Sequence, residues 1–132
     1  MTKSIFIAFG VFAAFTLFTG ESLAQVKTRI RFPAGASSTA VKGTIRGYAY
    51  RDYIVRGNAD QTITTSVSST NRYTILSIFR PGGDNLDDAA QMDKFSGTLP
   101  MTGDYVIRVG MMRAGARRPG AVSNFTLKVS ID

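Results

Sequence analysis

The 132-residue sequence contains no cysteine, no histidine and no tryptophan. Without cysteine no disulfide supports the fold, so the core must hold alone even in a compartment that would permit cross-linking. The lack of both cysteine and histidine removes the common nucleophile and base pairs, together with thiolate and imidazole metal sites. An enzyme built from this chain would have to work with carboxylates or a serine-lysine arrangement. The missing tryptophan weakens any platform for stacking on sugar rings. Acidic residues are scarce as well: nine Asp and Glu stand against 16 Lys and Arg, a net charge of +7. A field of that sign favours nucleic acid, anionic membrane or wall polymer, or an acidic cleft in another protein.

What is present begins with an export signal. Lys3 supplies the positive start, residues 5–18 are almost unbroken apolar sequence, and Ser22-Leu23-Ala24 has the small-x-small form of a cleavage site. The apolar run is short of the roughly 20 residues a spanning helix needs, so no stable membrane insertion is expected. Cleavage after residue 24 leaves residues 25–132 as one domain with one core. It removes Lys3 and Glu21, one charge of each sign, so the mature domain keeps the full positive balance. Export makes nucleic acid the weakest of the acidic partners.

From Val26 onward the pattern is strand after strand. Thr28, Ile30 and Phe32 alternate with basic residues, and Val41, Gly43 and Ile45 alternate with Lys42, Thr44 and Arg46 further on. The stretch from Tyr48 to Val55 is aromatic and β-prone on both faces, which leaves its buried side open. Ile63, Thr65 and Val67 mark a strand wet on one side. Tyr73 to Phe79 is apolar on both faces, as a central, covered strand would be. Tyr105, Ile107, Val109 and Met111 fall on alternate positions, and so do Phe125, Leu127, Val129 and Ile131. About eight short strands, regular turn residues and no convincing amphipathic helix predict an all-β, antiparallel β-sandwich. The acids Asp84, Asp87, Asp88 and Asp93 lie in a long loop, but their spacing does not match the alternating ligands and final glutamate of a helical calcium loop. No metal or cofactor is expected.

The conspicuous feature follows the strand at Tyr105. Met112-Arg113-Ala114-Gly115-Ala116-Arg117-Arg118-Pro119-Gly120 raises three guanidinium groups on small residues that do not crowd them. A solvated turn would explain them, as would an arginine that ties the loop down through backbone carbonyls. The functional alternative is a probe for carboxylate or phosphate, which the planar fork of arginine suits.

Two family resemblances rest on these residues. Tyr50-Arg51-Asp52-Tyr53 with Gly57, then Tyr73-Thr74-Ile75-Leu76, Phe95-Ser96-Gly97 and Gly103-Asp104-Tyr105-Val106-Ile107-Arg108-Val109 resemble the bacterial pre-peptidase C-terminal domain, a small β-sandwich. The Gly-Asp-Tyr strand, the Met-Arg-x-x-Ala-Arg-Arg run and Asn124-Phe125-Thr126-Leu127 resemble the periplasmic inhibitors of g-type (goose-type) lysozyme. That second resemblance implies a periplasmic protein that protects peptidoglycan by plugging a lysozyme. Glycoside hydrolysis requires a carboxylic acid that protonates the leaving oxygen, and an arginine paired with it would hold it ionised. By this resemblance Arg113, Arg117 and Arg118 are charged contacts, with Met112 an apolar neighbour. Tyr48 and Tyr50 are further contacts or ordinary core, and Ser96 and Gly97 flank the surface or simply form a turn. Exposed strand edges offer a route to a homodimer. The competing function is a carbohydrate- or wall-binding module. An enzyme using Asp52 or the Asp84 to Asp93 group has no nucleophile elbow, metal cluster or cofactor motif in its favour.

Overall fold

The alternating pattern is realised as two packed sheets in a computed structural model that describes residues 25–87 and 89–132. The export signal lies outside the described residues. The strands are β1 (Gln25–Arg29), β2 (Ser38–Arg46), β3 (Tyr50–Gly57), β4 (Thr62–Ser69), β5 (Thr74–Phe79), β6 (Lys94–Thr98), β7 (Gly103–Met111) and β8 (Val122–Ile131), with a single helical turn α1 (Arg113–Ala116) between the last two. One sheet has the order β1-β3-β7-β5 and the other β2-β8-β4-β6. Every pairing between these strands is antiparallel except β1 with β3, which run parallel.

Period-two alternation decides what each strand buries. Tyr105, Ile107 and Val109 of β7, with Tyr53 and Val55 of β3, face Phe125, Leu127, Val129 and Ile131 of β8 and Ile63 of β4. The rings of Tyr53 and Phe125 meet edge-on across the two sheets, 6.2 Å between centroids at 80°. On β3, whose sequence left the buried side open, Tyr53 and Val55 turn inward and Tyr50 and Ile54 face out, half-buried.

One strand departs from expectation. The covered run Thr74–Phe79 is not central but the edge of its sheet. Its free side is sealed by the acidic loop: Ile78 N–H donates to Ala89 at 2.9 Å, Leu86 N–H to Ile78 at 2.9 Å, and Leu76 and Met92 exchange two bonds at 2.6 and 3.0 Å. Leu86 and Ala89 are fully buried. The loop therefore pins itself down with apolar residues and covers a strand edge that would otherwise invite pairing.

Candidate functional site

The arginine segment begins where β7 outruns its inner pairing. Met112 N–H donates to Tyr73 O at 2.8 Å, which extends the β5–β7 ladder by one residue beyond Thr74 and Met111. The chain then coils once. Gly115 and Ala116 N–H both reach Met112 O at 2.9 Å, Arg117 N–H reaches Arg113 O at 3.1 Å, and Arg118 N–H reaches Gly115 O at 3.1 Å. Gly120 takes a left-handed φ of 72°, which turns the chain into β8.

Small residues make this coil possible by letting it lie flat on Tyr73. Gly115 and Ala116 are buried, and a side chain at 115 would run into the Cβ, Cγ and Cδ2 atoms of Tyr73. The phenol of Tyr73 in turn accepts bonds from Arg72 Nη2 and Arg118 Nη2, each at 3.0 Å. Both guanidinium carbons also lie near its ring, 5.0 and 5.1 Å from the centroid. The hydrogen bond from Arg72, with the fields of Arg118 and Arg72, lowers the Tyr73 pKa below its ordinary value. Arg118 is thus held by an aromatic side chain rather than by backbone carbonyls. Arg113 and Arg117 are exposed, and among the described residues neither they nor Arg118 has a carboxylate partner.

The same end of the sandwich receives the β2–β3 turn. Gly47 N–H donates to Ala121 O at 3.0 Å, docking the turn on the arginine segment. Tyr48, in that turn, is 65% exposed, and Met112 is 43% exposed. Tyr50 has a different environment. Its ring stacks under Arg108, 4.1 Å from the guanidinium carbon, with Phe79 on the same guanidinium at 5.0 Å. Arg108 forks onto Asp52 through Nε to Oδ1 at 2.8 Å and Nη2 to Oδ2 at 3.0 Å. Donating to the Asp52 carboxylate raises the Arg108 pKa above its ordinary value. Asp52 is only 1% exposed and is committed to this cross-strand pair.

Ser96 and Gly97 are not brought to this end. They pair with Thr64 and Ile63 on β4, whereas the arginine end is marked on that strand by Ser69. The intervening five residues of strand from 64 to 69 span roughly 17 Å. Ser96 Oγ bonds Thr64 Oγ1 at 3.2 Å. Conversely, Arg72 and Tyr73 belong to the arginine end, though in the sequence Tyr73 read only as the start of a strand and Arg72 did not stand out. Among the described residues no three carboxylates converge as metal ligands.

No protein-family profile and no curated protein matches this sequence. Solved structures do. The chain is 30% identical to PliG of Aeromonas hydrophila, described as a periplasmic lysozyme inhibitor of g-type lysozyme, with a TM-score of 0.72 over 83% of this chain and 98% of that one. The chain belongs to the PliG family. PliG of Salmonella Typhimurium superposes with a TM-score of 0.67 at 24% identity, over 81% of this chain and 98% of its own. The sandwich itself extends further: the pre-peptidase C-terminal domain of a Bacillus anthracis collagenase shares it at 14% identity and a TM-score of 0.53, over 82% and 96% of the two chains. PliG relatives are therefore similar to this chain over nearly their whole length, and the arginine end falls inside a shared fold rather than in an appended segment.

Proposed function

We propose that the protein inhibits g-type lysozyme in the periplasm, after removal of residues 1–24, by presenting its arginine end to the enzyme's acidic cleft. Support comes from membership of the PliG family together with one local observation. Three arginines stand on a turn fixed to Tyr73, and no acid of the described chain neutralises them. A guanidinium entering a glycosidase cleft can pair with the carboxyl group that must be protonated for catalysis, and it excludes the glycan at the same time. Inhibition of this kind asks for shape and charge, not for chemistry by the inhibitor. Preorganisation favours the same reading: with the backbone of residues 112–118 already hydrogen-bonded, less ordering entropy opposes docking.

Within this proposal Arg113 and Arg117 reach the cleft, Arg118 contributes charge while bracing the turn, and Met112 and Tyr48 form an apolar rim. Tyr50 supports the edge of the surface through Arg108. The test is a residual-activity titration of goose-type, chicken-type and invertebrate-type lysozymes on one cell-wall suspension. Near-stoichiometric loss of the goose-type activity alone supports the reading, and undiminished activity of all three refutes it.

A further inference from the structure

The two outer faces of the sandwich handle charge in opposite ways. On the β1-β3-β7-β5 sheet the acids are matched in place: Asp52 with Arg108, and Asp104 with Arg29 and Arg56. On the other sheet the exposed outward positions include Lys42 and Arg46 of β2, Lys128 of β8 and Lys94 of β6, and among the described residues none of these has a carboxylate partner. Asp132, just past β8, is occupied by the hydroxyls of Ser37 and Ser130 at 2.9 and 3.3 Å. Asp93, next to Lys94 in sequence, makes no ion pair with it.

The register sets these lysines in a line across the sheet. Lys128 lies opposite Ala40 on one side and Ser66 on the other, and Ser66 lies opposite Lys94. Lys42 is diagonal to Lys128, about 7–8 Å away along the backbone, and Lys94 is two strands over, roughly 10 Å. Short side chains between them leave two open hollows. One of about 480 Å³ has Lys128 at its wall and Ala40, Thr64 and Ser66 beneath. The other, of about 470 Å³, lies beside Lys42, Thr44 and Asn124. The hydroxyls are already oriented, Thr44 Oγ1 donating to Asn124 Oδ1 at 2.7 Å.

We infer that this face is a second binding surface, independent of the arginine end, for a polysaccharide that carries carboxylates along its length. Spaced ammonium groups match spaced carboxylates, and the ranks of serine and threonine hydroxyls match sugar hydroxyls. Unpaired like charges disfavour a second copy of the same face. No outward residue on these four strands is aromatic, so nucleic-acid bases find nothing to stack on. Bound this way, the protein stays on a charged wall polymer with its arginine end free.

Co-sedimentation with purified peptidoglycan sacculi, whose stem peptides carry carboxylates, tests the surface in the absence of any lysozyme. Uncharged chitin and anionic lipid vesicles serve as controls. The parent is expected to pellet with sacculi at low salt and not with chitin. The Lys42→Gln, Lys94→Gln, Lys128→Gln triple variant is expected to bind about tenfold more weakly, with unchanged thermal unfolding and unchanged lysozyme inhibition. Equal pelleting of parent and triple variant overturns the inference. So does loss of pelleting in an Arg113→Ala, Arg117→Ala variant instead, a preference for vesicles, or no pelleting at all. None of these results bears on lysozyme inhibition, which is read separately.

Discussion

The ring of Tyr73 occupies the place where a side chain at Gly115 would have to be. This contact joins the first residue before β5 to the turn that follows β7, and it gives the arginine segment its seat. Gly115→Ala must lift the turn or displace the ring, an overpacking cost of about 1–3 kcal/mol. The expected result is a modest loss of stability in denaturant unfolding and a larger loss of lysozyme inhibition. Tyr73→Phe separates the two functions of the side chain. It keeps the seat for Gly115 and removes the 3.0 Å acceptor of Arg118, so folding stays near parental while inhibition weakens. A Gly115→Ala protein that inhibits like the parent would show that the seat is irrelevant.

The free guanidinium groups should matter unequally. Among the described residues Arg113 and Arg117 have no carboxylate partner, so truncating whichever enters the cleft costs roughly 2 kcal/mol or more in affinity, the range of an interface hot spot. Arg118→Ala loses both a contact and a brace. Single alanine variants titrated against g-type lysozyme would rank them, with thermal unfolding as a check on folding. Three silent substitutions would eliminate the arginine end as the plug.

The two tyrosines flagged together in sequence divide in structure. Tyr48 is exposed beside the arginine segment, whereas Tyr50 is engaged with Arg108. Tyr48→Ala is expected to weaken inhibition by about 1–2 kcal/mol while leaving the unfolding midpoint unchanged. Ser96→Ala, on the far part of β6, is expected to leave inhibition at the parental level in the same titration.

Strands were legible wherever one face is core and the other wet. Phe125 to Ile131 on β8 and Tyr105 to Val109 on β7 obey a strict period of two because the opposing sheet covers one side only. The position of β5 was not legible, since a strand covered by a loop reads like one flanked by two strands. Leu86 and Ala89, which do the covering, sit among aspartates and glycines that read as solvated loop. The parallel partner of β1 was hidden because alternation carries no information about strand direction. At the candidate site, three arginines on small residues were visible. Their attachment was not: Tyr73 and Arg118 are 45 residues apart, and one turn of helix is too short to show a 3.6-residue period.

The Asp52–Arg108 pair should carry stability rather than activity. Asp52 is buried, but the Arg108 side chain keeps 38% of its surface exposed and can regain water when its partner is lost. Asp52→Ala is therefore expected to cost about 1–3 kcal/mol, less than the loss from breaking a pair buried on both sides. Denaturant unfolding measures it. The Asp52→Ala, Arg108→Met double variant should recover part of the loss, because no unpaired polar group is then left between Tyr50 and Phe79.

Acid should selectively weaken the tie between β1 and β7. Arg29 reaches across β3 to Asp104 with a two-point contact, Nη1 to Oδ1 at 3.2 Å and Nη2 to Oδ2 at 2.9 Å, and Arg56 adds its charge at 3.9 Å. The hydrogen bond from Arg29, with the fields of Arg29 and Arg56, holds the Asp104 carboxyl below the usual carboxylate range. A carboxyl whose pKa is lower folded than unfolded stabilises the fold above its unfolded value, about 3.9, and that contribution disappears as pH falls through the folded value. Parent and Asp104→Asn should therefore differ in thermal unfolding at pH 7, with the parent higher. The difference should shrink steadily below about pH 4. Because both partners are solvent-exposed, the gap at pH 7 should also narrow in high salt. A difference that persists unchanged at the acid extreme would assign the effect to packing of the aspartate rather than to its charge.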